Sequence, residues 1–216
     1  MGQLITVTGM VLAAYPYSDY DKRLVVLTKE RGKISMFAKG ARRQNSSLLA
    51  VCSSFVFGEF SVYEGRSSYN LMQVKVKNYF ADLSRDFEKA CYGFYFCELA
   101  EYYTREANDE LPMLKLMYQS LRALENRSIP DLLVRYIFEL KTLVISGDCP
   151  VEFEEEGIGE STRYTLKYIA ASPVERLYTF TVSGEVLEEL GEVLSRYRKH
   201  YMEGTYKSLE ILESCT

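Results

Sequence analysis

Residues 23–38, RLVVLTKERGKISMFA, decide the fold. RLVVLT is a β-branched apolar run, and ERGK after it is a tight turn containing a glycine. KISMFA then alternates. Strand geometry puts Lys33, Ser35 and Phe37 on one face and Ile34, Met36 and Ala38 on the other. Outward from this hairpin, residues 4–12 alternate in the same way and lead into the turn AYPYSDYD. Residues 54–64, SFVFGEFSVYE, form a long alternating strand in which Gly58 marks a bulge or a sharp bend. A turn at residues 65–68 precedes a fifth strand over residues 69–76. Five short strands, one strongly bent, predict a small closed barrel such as an OB-fold; an SH3-like barrel is the competing reading.

The period changes after Ala81. Ser84 reads as an N-cap, and Phe87, Cys91, Phe94, Tyr95, Leu99 and Tyr102 fall at helical spacing. Further helices fit residues 113–124 after Pro112 and 131–145 after Pro130. Glycines and a Glu154–Glu156 run interrupt this pattern, after which RYTLKYI (163–169) and LYTFTV (177–182) read as a β-hairpin. Ser183 caps a helix to about residue 201, and residues 206–212 add a turn or two. The expectation is an α+β chain: a five-stranded OB-fold barrel over residues 1–80, then an α-helical domain over 81–216 with a small β-hairpin insertion at about 151–182.

Composition narrows the function. The chain has 216 residues, 47% of them hydrophobic and 26% charged, as in an ordinary globular protein. No apolar run reaches the roughly 18 residues of a membrane span, and the opening MGQLITVTGMVLAAY reads as a strand rather than a leader, so a cytoplasmic protein is expected. Cys52, Cys91, Cys97, Cys149 and Cys215 form no CxxC pair and there is one histidine, His200; zinc is not expected. The signatures GxSxG, HExxH, GxxxxGK[ST] and GxGxxG are missing, so the chain reads as no enzyme. The net charge of −4 hides an asymmetry: residues 1–80 carry eleven Lys and Arg against five Asp and Glu, whereas the remainder carries 15 against 25. A basic first unit on an acidic remainder suits a chain whose first unit meets phosphate.

Lys33, Lys39, Arg42 and Arg43, with Phe37 among them, are the main candidates for polyanion contact. Cations along one groove release counterions from phosphates, and exposed rings beside them let unpaired bases stack. Tyr15, Tyr17 and Tyr20 in the preceding loop are further stacking candidates, while Lys22, Arg23, Arg66, Lys75 and Lys77 rank lower because some must face away. The blander alternative is that the tyrosines pack on the barrel and the basic loop aids solubility.

These segments together resemble the RecO family of recombination mediators. The likeness is carried by Gly9–Leu12, Tyr17–Lys22, Val25–Thr28, Glu30–Ser35 and Ala38–Arg43, then Ser47–Leu49 and Tyr63–Arg66. It continues in Leu133–Leu143 with Ser146–Pro150 and in Tyr197–Leu212, and it lapses between. The resemblance implies an OB-fold, a helical domain and often a four-cysteine zinc module after a G-x-x-P turn. This chain lacks those zinc-binding cysteines. The resemblance also implies DNA repair by homologous recombination in the cytoplasm, at the nucleoid. It implies binding of single- and double-stranded DNA, strand annealing, and, with RecR, loading of RecA onto DNA coated by single-strand-binding protein. That protein's acidic C-terminal tail is implied as a partner, and Arg122, Arg135 and Lys141 are the helical cations that could meet it. A protein-interaction adaptor whose barrel meets DNA only incidentally is the alternative.

Overall fold

A computed structural model describes residues 2–66, 68–149, 153, 157–202 and 204–215. Five strands, β1 (Gln3–Pro16), β2 (Lys22–Thr28), β3 (Gly32–Ala38), β4 (Phe57–Glu64) and β5 (Tyr69–Asn78), close into a barrel in the order β1-β2-β3-β5-β4. All neighbours are antiparallel except β3 and β5, which run parallel through Met36↔Tyr69 and Phe37↔Asn70. The arrangement is OB-fold-like, as expected. Val7, Val11, Leu24, Val26, Ile34, Met36, Phe60, Val62 and Leu71 fill the interior. The β3–β4 segment plugs one end with Ala41, Val51, Cys52 and Val56.

The bend expected at Gly58 is present: β4 shifts register against β5 between Phe57 and Gly58. Gly58 also faces Gly9 across the β1–β4 pairing. A Cβ at Gly58 would lie 2.4 Å from the Lys75 carbonyl oxygen, and one at Gly9 would lie 2.4 Å from that of Leu27. The two glycines let the barrel backbones come this close.

Helices α1 (Phe87–Tyr103), α2 (Leu111–Glu125) and α3 (Asp131–Ser146) pack as expected, with Phe96 stacked on Phe138 at 4.1 Å. The first cap differs from expectation: Ser84 lies in a 3₁₀ turn (Leu83–Arg85), and Asp86 caps α1 by accepting from the Lys89 amide at 3.2 Å. The expected hairpin is overturned. Residues Glu160–Ala171 form helix α4, and residues 177–182 form no strand. RYTLKYI has the β-branched and aromatic content of a strand, but Thr162, Thr165, Leu166 and Ile169 are buried at helical spacing, so tertiary burial overrides propensity. The Glu154–Glu156 run lies outside the described residues. Ser183 caps helix α5 (Gly184–Tyr201) by accepting from the Val186 amide, and α6 (Lys207–Cys215) lies along α1.

Met10, Leu12, Val25 and Leu27 point out of the barrel into the same buried cluster as the α1 side chains. β2 is therefore buried on both faces from Leu24 to Thr28, which is why RLVVLT does not alternate. The helical unit buries a charge cluster. Glu139 Oε1 accepts from Arg135 Nε at 2.9 Å and from the Tyr95 hydroxyl at 2.8 Å, with Arg198 at 3.5 Å. Burial pushes the Glu139 carboxyl up, and the Arg135 guanidinium pulls it back. Arg135 and Arg198 both reach Glu213, tying α6 to α3 and α5.

Two outcomes follow for stability, both read from urea denaturation midpoints. Gly58→Ala is expected to cost about 1–3 kcal/mol by forcing the strands apart, and an unchanged midpoint contradicts the close approach. Glu139→Gln, which removes the buried counter-charge of Arg135 and leaves it only Glu213 at 3.4 Å, is expected to cost up to about 3–5 kcal/mol. A neutral result would mean that Glu213 or solvent replaces Glu139 as the partner of Arg135.

Candidate nucleic-acid interface

The barrel's outer surface is divided in two. Near the β2–β3 turn the helical unit covers it. The Lys33 amide donates to the Arg105 carbonyl at 2.9 Å, and the Ala107 amide donates to Arg31 at 3.0 Å. Toward the opposite end of β2 and β3 the surface opens, bordered at Tyr15 by the carboxylates Glu101 and Glu98 of α1. There the strand registers place Tyr15, Arg23, Phe37, Asn70 and Tyr63 in one outward-facing row crossing five strands. Neighbouring strands lie about 4.8 Å apart, so the row presents a side chain at nearly each step. Tyr15 and Tyr63 are each 43% exposed. The Arg23 guanidinium lies over the Tyr15 ring at 5.3 Å, and Tyr17 packs on Phe37 at 4.6 Å.

The β1–β2 turn and the β3–β4 segment stand beside this row and are stapled together. Asp21 Oδ1 accepts from the Gly40 amide at 2.8 Å, and the Arg42 amide donates to the Tyr20 carbonyl at 2.9 Å. The amide of Gly40, whose φ of +67° suits glycine, holds the Asp21 carboxyl below its ordinary range. Buried Ala41 roots the loop in the barrel interior. Lys39, Arg42 and Arg43 are left exposed. The Arg42 side chain donates to the Ser18 carbonyl at 2.8 Å, and Arg43 lies over Tyr20 at 5.2 Å. Lys39, Arg42, Arg43, Arg23 and Phe37 thus come together with Tyr15, Tyr17 and Tyr20.

Several expected residues are elsewhere. Lys33 does face outward with Phe37, but its ammonium donates to the Glu101 carbonyl near the C-terminus of α1, where helix carbonyls lack partners. Burial there lowers its pKa. Lys22 turns its ammonium to the Cys52 carbonyl at 2.8 Å. Lys75 and Lys77 lie along β5 opposite Glu59, at 4.0 and 2.7 Å, and share that one carboxylate. Arg66 is exposed in the β4–β5 turn, next to Glu64, which pairs with Arg31 of the β2–β3 turn at 3.2 Å. That places Arg66 toward the wrong end of β3 for the cluster.

Among the helical cations Arg122 is exposed, but Arg135 and Lys141 are each only 7% exposed. Arg135 is committed to Glu139. Lys141 donates to the carbonyls of Ala170 and Ser172 at 2.7 Å each, closing the end of α4. Neither side chain is placed to meet a partner's tail. Tyr63 and the clamp residue Asp21 were not anticipated. Tyr63 joins the row through pairing with β5, which the spacing of residues along one strand does not reveal.

Rows of rings edged by guanidinium groups suit a polyanion with unpaired bases. The profile for the recombination protein O N-terminal region matches residues 1–80, and the profile for its C-terminal region matches residues 84–155. A DNA repair protein RecO of Acetivibrio thermocellus is 26% identical over 96% of this chain and 95% of that protein. The Alkaliphilus metalliredigens protein of the same name is 35% identical over 67% of this chain and 58% of its own length. The Listeria monocytogenes one is 29% identical over 94% of this chain and 74% of its length. With both profiles matched in order across the barrel and the first helices, the chain belongs to the recombination protein O family of DNA repair proteins.

Proposed function

We propose that the protein is a non-enzymatic mediator of homologous recombination that holds DNA on the open half of its barrel. The observation carrying this reading is the Tyr15–Arg23–Phe37 row flanked by exposed Lys39, Arg42 and Arg43. Phosphates run past the cations, and unpaired bases lie against the rings. Contacts of this kind read no sequence, so both single and double strands are ligands, with single strands gaining the stacking. Annealing follows when the neutralised surface holds two complementary strands together. Working with RecR, such a protein loads RecA onto DNA coated by single-strand-binding protein, in the cytoplasm and at the nucleoid. For the acidic tail of the coating protein, Arg122 on α2 is the one open to solvent among Arg122, Arg135 and Lys141. No metal is needed for any of these steps.

Single-stranded DNA binding tests this directly. Replacing Lys39, Arg42 and Arg43 together with alanine is expected to weaken binding to oligo-dT and to flatten the slope of log affinity against log salt by about 2, at roughly 0.7 per cation lost. Affinity and slope both unchanged would favour the adaptor role, with DNA contact incidental.

A further inference from the structure

Away from the barrel, α4, the start of α5 and the segment between them form an open groove of about 640 Å³. Its walls are the rings of Tyr164, Tyr168 and Phe180, edged by the hydroxyl-bearing Ser161, Thr165, Thr181 and Ser183. Tyr164 is 70% exposed, the highest value among the exposed large hydrophobic residues. The Tyr164 and Tyr168 planes lie within 23° of each other with centroids 6.4 Å apart, so the two rings present similarly oriented faces. Phe180 meets Tyr168 edge-on at 5.2 Å and braces it from behind. Rings placed this way on a rigid helix make a platform for a flat or cationic group.

Charge decides which group. Among the described residues that line the groove, Glu160 alone is charged. It stands one helical turn before Tyr164, on the same face of α4. Arg163 and Lys167 lie outside the lining, and the Arg163 side chain donates to the Phe153 carbonyl at 3.3 Å. Residues 81–216 carry 15 Lys and Arg against 25 Asp and Glu, a field that repels phosphate. A nucleobase would bring its phosphate into this field. A guanidinium or ammonium gains from both the ring faces and the carboxylate.

We propose that this groove docks a cationic segment of a partner protein, with an arginine or lysine side chain lying across Tyr164 and Tyr168 and Glu160 as its counter-charge. The site is separate from the barrel row and has the opposite charge preference, so one molecule can hold DNA and a basic protein segment at once.

The probe is the capped peptide Gly-Arg-Leu-Arg-Gly titrated into the full chain, read by NMR from the tyrosine ring resonances. Binding is expected to shift the Tyr164 and Tyr168 rings. Tyr164→Ala is expected to weaken it about tenfold and Tyr164→Phe to keep it, because the ring face supplies the contact. Glu160→Gln is expected to weaken it about threefold and to reduce its salt dependence. Oligo-dT affinity stays unchanged in all three variants, so failure here is distinct from failure of the barrel as a DNA site. The proposal is overturned if neither ring shifts at millimolar peptide, if the charge-reversed peptide Gly-Glu-Leu-Glu-Gly shifts them equally, or if oligo-dT shifts them instead.

Discussion

Met10, Leu12, Val25 and Leu27 leave the barrel's outer surface and enter one apolar cluster with Tyr92, Phe96 and Leu99 of α1. The rest of the structure depends on this contact. A free five-stranded barrel exposes its outer side chains all round. Here α1 lies across β1 and β2, and the backbone of residues 105–107 is bonded to the β2–β3 turn. What is covered is the half of the hairpin that includes Lys33. What is left is the half that includes Tyr15, Arg23 and Phe37, with the basic loop beside it. The helical unit therefore sets the size and place of the open surface, and its Glu98 and Glu101 border that surface at Tyr15.

The division also explains how the basic residues of the first unit are used. Cations near the covered half take structural partners: Lys33 closes the end of α1, and Arg31 pairs with Glu64. On β5, Lys77 pairs with Glu59. Lys22 holds the β3–β4 segment against β2 through the Cys52 carbonyl. The positive charge seen in composition is thus distributed: Lys39, Arg42, Arg43 and Arg23 stand exposed beside the row, while Lys29, Arg31, Arg66, Lys75 and Lys77 are exposed elsewhere on the barrel. Asp21 is a local cost in that field. It clamps the two loops through Gly40 while setting a carboxylate beside Lys39 and Arg43.

Much of the barrel was legible because strand alternation and turn glycines are local signals. Ile34, Met36 and Ala38 are buried as their spacing says, and Gly58 sits at the irregularity expected of it. The failures have tertiary causes. RYTLKYI carries strand propensity, yet burial of Leu166 and Ile169 against the helical unit makes it a helix. Lys33 shares a face with Phe37, but only the docking of α1 shows that this face changes character between them. Arg135 and Lys141 look like surface cations on an amphipathic helix. Glu139 lies one turn along the same helix. Only Tyr95 of α1 and the carbonyls at the end of α4, from other parts of the chain, show that the Arg135–Glu139 pair and Lys141 face inward.

Photo-crosslinking with oligo-dT carrying 5-iododeoxyuridine tests the division of the barrel surface most directly. Crosslinks are predicted at Tyr15, Tyr17, Phe37 and Tyr63, and none at Tyr103 or along the β2–β3 turn. Crosslinks concentrated at the β2–β3 turn and the adjoining end of α1, with the Tyr15 row untouched, would contradict the account.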